Sequence, residues 1–362
     1  MVENTPTPLI PNNEILPLID LKGQRDEVSK LIVKACEDFG FFKLINHGVP
    51  MDVISSLEEA SFDFFAKPSS EKERASLCSN PPYGYGCKNI GLNGDVGEVE
   101  YLILDAKPAA ITTYPINLRD AVSSYVEAVR ELACEILDLM AEGLGAQQTS
   151  VFSSFIRAVN SDSLLRLNHY PPLRDRDTSP STGNAAAATA SATSGADGVC
   201  NRIGFGEHTD PQILTILKSN GVGGLQISVQ DGVWVPVSPH PTAFFVNVGD
   251  VLQDRESTSF ASLLLLIMLT VLKAMTNGKF LSVRHRAMVN WQESRMSMAY
   301  FASPSLDSRI SPLAHLVTPN SPRLYRSFTW AEYKKATYSG RLGDSRLNLF
   351  RIQPGDETAA KQ

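Results

Sequence analysis

Arg202-Ile-Gly-Phe-Gly-Glu-His208-Thr-Asp210-Pro-Gln212 is answered far downstream by Ser282-Val-Arg-His285-Arg286. In an extended chain, side chains two apart point to the same face, so the His208 imidazole and the Asp210 carboxylate converge on one point. His285 falls in a second expected strand, residues 280–289, with the sequence Phe-Leu-Ser-Val-Arg-His-Arg-Ala-Met-Val. Two histidines and one carboxylate form the facial triad that holds Fe(II), leaving coordination positions open for a co-substrate and dioxygen. A His-x-Asp pair alone is common by chance. Arg295-Met-Ser297, ten residues after His285, strengthens the reading because it offers a guanidinium fork and a hydroxyl to a carboxylate.

The surroundings of the triad are short alternating segments. Leu164-Leu-Arg-Leu-Asn168-His169-Tyr170, Gly224-Leu-Gln-Ile-Ser-Val229, Gly232-Val-Trp-Val-Pro-Val237, Thr242-Ala-Phe-Phe-Val-Asn-Val248 and Met296-Ser-Met-Ala-Tyr-Phe301 are separated by Gly, Asp and Pro. That spacing predicts an antiparallel sandwich or barrel, and a jelly roll can hold a metal between its two sheets. Residues 174–199 interrupt the series with Ser, Thr, Ala, Gly, Asp and Arg, a low-complexity composition that reads as a loop between strands. Residues 254–273 also break the rhythm. Their apolar run, Leu263 to Leu272, is shorter than the ~20 residues that cross a bilayer, so no membrane span is expected.

The first 150 residues read differently. A short strand at 15–21 precedes a helix over 26–39 with Val28, Leu31, Ile32, Ala35, Cys36 and Phe39 at helical spacing, stopped by Gly40. A strand at 41–46 runs into Asn46-His47-Gly-Val-Pro50, where the histidine reads as a turn residue and not a ligand. A helix over 51–66 follows. Asn80-Pro-Pro-Tyr83-Gly-Tyr85-Gly-Cys-Lys88 is expected to be a loop, either lining a pocket with its tyrosines or making a tight surface turn. A strand at 98–104 and a long helix over 118–144 complete this half. The helix carries one apolar stripe from Val122 to Met140 that should back the catalytic sheet.

With 362 residues, 43% hydrophobic and 20% charged, the chain can bury a sizeable core. Its net charge of −6, without a basic patch, argues against a nucleic-acid partner. Five cysteines in no metal-binding spacing, and an N-terminus without a signal-peptide pattern, predict reduced thiols and a cytoplasmic protein. Cys200, beside the low-complexity loop, is read as an idle thiol, and His169 and His240 as strand-edge and turn residues.

From about Leu16 to Arg351 the chain resembles the plant 2-oxoglutarate- and Fe(II)-dependent dioxygenases, most closely the gibberellin 2-oxidases. The resemblance rests on Phe39-Gly-Phe-Phe-Lys-Leu-Ile-Asn-His-Gly-Val-Pro50, Tyr83-Gly-Tyr-Gly86, Gly204-Phe-Gly-Glu-His-Thr-Asp-Pro-Gln212 and Val248-Gly-Asp-Val-Leu-Gln253. Thr276-Asn-Gly-Lys-Phe280, Ser282-Val-Arg-His-Arg286, Arg295-Met-Ser-Met-Ala-Tyr-Phe301 and Phe328-Thr-Trp-Ala-Glu-Tyr-Lys-Lys335 complete it. It implies a mainly β protein with flanking helices: a mixed N-terminal region over 1–150, a double-stranded β-helix (jelly-roll) oxygenase domain over 151–351, and a tail over 352–362. It implies iron held by His208, Asp210 and His285, 2-oxoglutarate held at its distal carboxylate by Arg295 and Ser297, and Asn168 and Tyr170 near the co-substrate.

The implied reaction consumes dioxygen, with ascorbate in support, yields succinate and carbon dioxide, and hydroxylates a gibberellin at carbon 2. A sister dioxygenase acting on another gibberellin position or another plant metabolite is the alternative. Two departures stand out. Residues 254–273 lengthen the interval between Asp210 and His285 and read as an insertion of the kind a retained intron or gene-model error leaves, which could impair catalysis. Glu98 stands where relatives are expected to carry an aromatic residue, and a carboxylate facing an acidic substrate would be unfavourable. Arg202 and Lys88 are candidate partners for the substrate carboxylate, with solvated surface roles as the other reading. The resemblance leaves the oligomeric state open.

Overall fold

The computed structural model describes residues 15–77, 82–90, 95–111, 116–173, 199–230, 233–248, 274–339 and 347–352. In chain order these form β1 (Leu18–Asp20), α1 (Arg25–Asp38), β2 (Phe41–Ile45), α2 (Met51–Phe65), α3 (Ser69–Leu77), β3 (Gly84–Ile90), β4 (Asp95–Asp105), α4 (Pro108–Ile111), α5 (Ile116–Gly143), α6 (Ser154–Arg157) and β5 (Leu164–Tyr170). Then follow β6 (Val199–His208), β7 (Leu214–Ser219), β8 (Leu225–Gln230), β9 (Val233–Pro236), β10 (Phe244–Val248), β11 (His285–Asn290), β12 (Arg295–Ala302), β13 (Arg309–Ile310), β14 (Phe328–Thr329) and α7 (Trp330–Ser339).

Two sheets make the double-stranded β-helix. The larger has eight strands in the order β1-β2-β10-β7-β12-β5-β4-β3, and the smaller has four, β6-β11-β8-β9. Strands from the N-terminal region therefore extend the same sheet that carries Arg295 and Ser297. Helices α2 and α5 pack on the outer face of that sheet. Val122, Tyr125, Val126, Val129, Leu132, Ala133, Ile136, Leu137 and Met140 of α5 are all buried, and the Tyr125 ring lies 6.5 Å from Phe244 of β10. The expected stripe does back the sheet, as the 3.6-residue period requires.

At the end of α1, Gly40 takes φ +63°, and a Cβ there would strike the Leu281 carbonyl; only glycine meets both demands. Leu31, counted in the apolar set of this helix, is half exposed at 53% and belongs to its outer face. The turn after β2 is built as expected. Asn46 and Gly48 take positive φ, His47 Nδ1 accepts the Val49 amide, and Nε2 contacts the Thr242 carbonyl at 3.0 Å.

Other expectations need correction. From Gly84 on the glycine–tyrosine stretch is not a loop: residues 84–90 are β3, paired antiparallel with β4, and only Pro82 and Tyr83 of its described part stay outside a strand. Gly86 is required there because the Tyr101 ring of β4 occupies the space a Cβ would take. The strand expected over 280–289 begins only at His285. Leu281 donates its amide to the Cys36 carbonyl, and Arg284 accepts from the Ser228 amide, so this approach is tied to α1 and β8 before pairing with β6 starts. Val199, assigned to the low-complexity loop, already belongs to β6. Residues 174–198, the 254–273 segment, the tail from 353 and the Cys200 side chain lie outside the described residues. Among the described residues, no helix is long and apolar enough to cross a membrane.

Candidate active site

β6 and β11 run antiparallel with His208 directly opposite His285, which sets their rings 4.3 Å apart. Asp210 follows two residues after His208, just beyond the strand end. Its Oδ1 lies 3.5 Å from His208 Nε2 and 3.7 Å from His285 Nε2, so the three ligand atoms share one small volume. Every other polar atom of the three side chains is held by protein. His208 Nδ1 lies 2.8 Å from the Gly206 carbonyl and His285 Nδ1 3.2 Å from that of Val283, which turns each Nε2 lone pair inward. Asp210 Oδ2 accepts from Thr215 Oγ1 at 2.7 Å and Asn247 Nδ2 at 2.9 Å, leaving Oδ1 for an ion.

Protonation states suit a cation. Burial alone would raise the Asp210 carboxyl, but the two imidazoles and the Asn247 amide outweigh it and hold the group well below the usual carboxylate range. Burial, with the neighbouring His208, pushes His285 down to about 4, so its imidazole is neutral and can donate a lone pair.

Alternation on two neighbouring strands of the large sheet builds the rest. β5 turns Arg166, Asn168 and Tyr170 toward the cavity, and β12 turns Arg295, Ser297, Ala299 and Phe301. The register pairs Arg295 with Tyr170, Ser297 with Asn168 and Ala299 with Arg166. Arg295 is 2% exposed. Its Nη1 lies 3.5 Å from Ser297 Oγ, its guanidinium carbon 5.0 Å from the Tyr170 ring, and its Nε has no hydrogen-bond partner among the described residues. Burial lowers its pKa, opposed by Tyr170. A buried guanidinium facing a cavity without a paired carboxylate among the described residues calls for an anionic ligand. Gly204 makes this arrangement possible, since a Cβ there would meet the Tyr170 ring at 2.6 Å.

The cavity, about 190 Å³, is lined by all seven residues singled out from the sequence and is walled by Phe41, Ile90, Ile103, Leu164, Phe205, Leu217 and Phe301. Lys88 and Arg202 are exposed and line no part of it. Glu98 of β4 is likewise absent from the residues that line the cavity. His169, expected at a strand edge, is instead the centre of a network, with Nδ1 2.7 Å from Glu100 Oε1 and Nε2 2.6 Å from Ser294 Oγ. His240 is a turn residue whose Nδ1 accepts the Thr242 and Ala243 amides.

Sequence reading missed Thr215, Asn247, Arg166 and Thr337. The first two support Asp210 from β7 and β10, and the last enters the cavity wall from α7. For Thr215, Asn247 and Arg166 the signal is cross-strand register, and for Thr337 the docking of α7; no local motif carries either. The donor set, the single free carboxylate oxygen and the unpaired buried arginine fit Fe(II) and 2-oxoglutarate.

Residues 161–304 match the 2OG-Fe(II) oxygenase superfamily, and residues 16–109 match the N-terminal region described for the non-haem dioxygenase in morphine synthesis. Gibberellin 2-beta-dioxygenase 4 of Arabidopsis thaliana is 51% identical over 337 residues, covering 93% of this chain and 94% of that protein. Gibberellin 2-beta-dioxygenase 1 of Pisum sativum is 46% identical, covering 92% and 90%. Among solved structures, JOX2 in complex with 2OG, Fe and JA superposes with a TM-score of 0.72 at 27% identity, covering 93% of this chain and 89% of that one. The rice dioxygenase for auxin oxidation gives 0.69 at 26%, covering 93% and 100%. Conserved nearly end to end with the first two proteins, and built on the jelly roll of the others, the chain belongs to the gibberellin 2-beta-dioxygenase family of Fe(II)- and 2-oxoglutarate-dependent oxygenases.

Proposed function

We propose that this protein hydroxylates a gibberellin at carbon 2, with His208, Asp210 and His285 as iron ligands and Arg295 and Ser297 as the seat of the distal carboxylate of 2-oxoglutarate. Asn168 and Tyr170 close the co-substrate end of the cavity. The observation that carries the reading is the 51% identity to a gibberellin 2-beta-dioxygenase over 94% of its length, joined to a cavity that gathers all seven residues.

Iron, when bound with 2-oxoglutarate and dioxygen, supplies the oxidising power to put oxygen into an unactivated C–H bond. The chain's own residues do the positioning. The His208 and His285 Nε2 atoms and Asp210 Oδ1 face one point, held there by Gly206, Val283, Thr215 and Asn247. Arg295 neutralises a carboxylate inside the protein, where a charge-assisted pair is strong. The apolar wall holds a hydrocarbon body, orients the target bond and excludes water. We place the protein in the cytoplasm, where the buried, unpaired thiols of Cys36 and Cys134 stay reduced.

The test is succinate release by the purified chain with Fe(II), ascorbate and 2-oxoglutarate, with and without a bioactive C19 gibberellin. Gibberellin-dependent succinate and a 2-hydroxylated product are expected. Succinate release that gibberellin leaves unchanged would overturn the substrate and leave the iron and co-substrate assignments standing.

A further inference from the structure

The mechanism above uses one arginine of the cavity and leaves another unexplained. Arg166 sits on β5 two residues before Asn168 and opposite Ala299 of β12 and Ile103 of β4. Arg295 sits opposite Tyr170. The two arginines are thus four residues apart along a paired strand ladder, about 13 Å at ~3.3 Å per residue, and both line the same cavity. In the register the Asn168–Ser297 pair stands between them, so one arginine lies on each side of that pair.

The Arg166 guanidinium is not a loose surface charge. It lies between two aromatic faces, its central carbon 4.2 Å from the Tyr101 ring and 4.7 Å from the Phe205 ring. Its Nε donates to Asn168 Oδ1 at 2.8 Å, which fixes the plane of the fork. Arg286, the other arginine lining the cavity, is committed elsewhere: it stacks 4.1 Å over Trp234 and donates through Nε to Gln226 Oε1 at 2.8 Å.

We propose that Arg166 is the residue that recognises the carboxylate of the organic substrate, while Arg295 serves the co-substrate. This rests on the gibberellin reading above. An acid with a rigid apolar body would place its carboxylate on Arg166 between Tyr101 and Phe205, with its hydrocarbon toward the apolar wall and the triad. Arg166 is then a specificity residue: it selects acids over neutral compounds of the same shape and fixes which carbon faces the iron site.

The experiment compares a C19 gibberellin with its methyl ester, which keeps the shape and removes the charge. Dissociation constants are measured on the full chain loaded with Fe(II) and 2-oxoglutarate under argon, so that binding is read without turnover. The readout is the ester-to-acid ratio within each protein, which cancels any general loss of binding. The wild type should favour the acid by about tenfold or more, as a desolvated charge pair does. Arg166→Met should bring the ratio to about one, and Arg166→Lys should keep part of it because a point charge replaces the fork. If Arg166→Met binds neither ligand, the decision passes to Arg166→Lys, where a ratio equal to the wild type's overturns the proposal. An undiminished ratio in Arg166→Met, or a wild-type ratio near one, also overturns it while leaving the gibberellin reading intact. A wild type that binds neither compound removes the gibberellin reading and this inference with it.

Discussion

Asp210 shows how one side chain is divided between structure and chemistry. One oxygen takes two hydrogen bonds from Thr215 and Asn247, and the other is left facing two imidazoles. Replacing Thr215 by Val, or Asn247 by Ala, removes a donor and lets the carboxylate rotate. Either change should weaken metal binding by about ten- to a hundredfold with little change in melting temperature, as metal titration of the apo-protein would show. Arg295→Gln should raise the 2-oxoglutarate concentration for half-maximal turnover by about thirtyfold or more, since the loss of one partner of a buried charge pair costs ~2–5 kcal/mol. Equal KM values for mutant and wild type would remove Arg295 from the co-substrate site. The triad and Arg295-x-Ser297 were legible because metal and carboxylate chemistry accept few residue types and their spacing is local. Thr215, Asn247 and Arg166 were not, because a threonine, an asparagine or an arginine in a strand acquires its meaning only from the strand beside it.

Among the elements, β3 and β4 carry a charged network behind the sheet. Glu100 is 7% exposed and is met by Lys72 of α3 at 2.6 Å, Tyr85 of β3 at 2.8 Å and His169 of β5 at 2.7 Å. Burial would raise its pKa, but the bonds from His169, Lys72 and Tyr85 reverse this and bring it to about 2. A carboxyl depressed on folding stabilises the protein above its unfolded value of about 4.5, and that contribution fades as pH falls toward 2. Glu100→Gln should therefore cost about 2 kcal/mol at pH 7, and the difference from wild type in urea unfolding should shrink below about pH 4.5. A gap that stays constant down to pH 3 would mean the carboxylate is not what stabilises this corner. The sequence hid the arrangement because glycine and proline around Tyr83 to Gly86 signal a turn. In the fold, Gly86 instead lets a strand pass beneath the Tyr101 ring. Helices were easier to read, since α5 writes its buried face at a regular period that no partner can shift.

At the scale of the whole molecule, the segment at 254–273 interrupts the chain between β10 and the residues that lead into β11. We predict that its removal leaves iron and 2-oxoglutarate binding unchanged and raises the yield of soluble protein, because an apolar run of ten residues is taken out. Loss of co-substrate binding in the shortened chain would show that the segment is part of the site. The two-sheet architecture was legible from the run of short alternating segments. The order of strands was not, since β2 lies beside β10 and β5 beside β12, pairings set by contacts far apart along the chain. That order governs how the protein is made. Phe41 forms one wall of the cavity and Thr337, fastened through the Lys334 and Trp330 bonds to Asp162, forms another. While a ribosome is still adding residues beyond β10, the emerging chain has helices and unpaired strand edges but no chamber. The cavity wall is complete only when α7 has been synthesised and has docked, so a partly made chain offers bare strand edges to other chains.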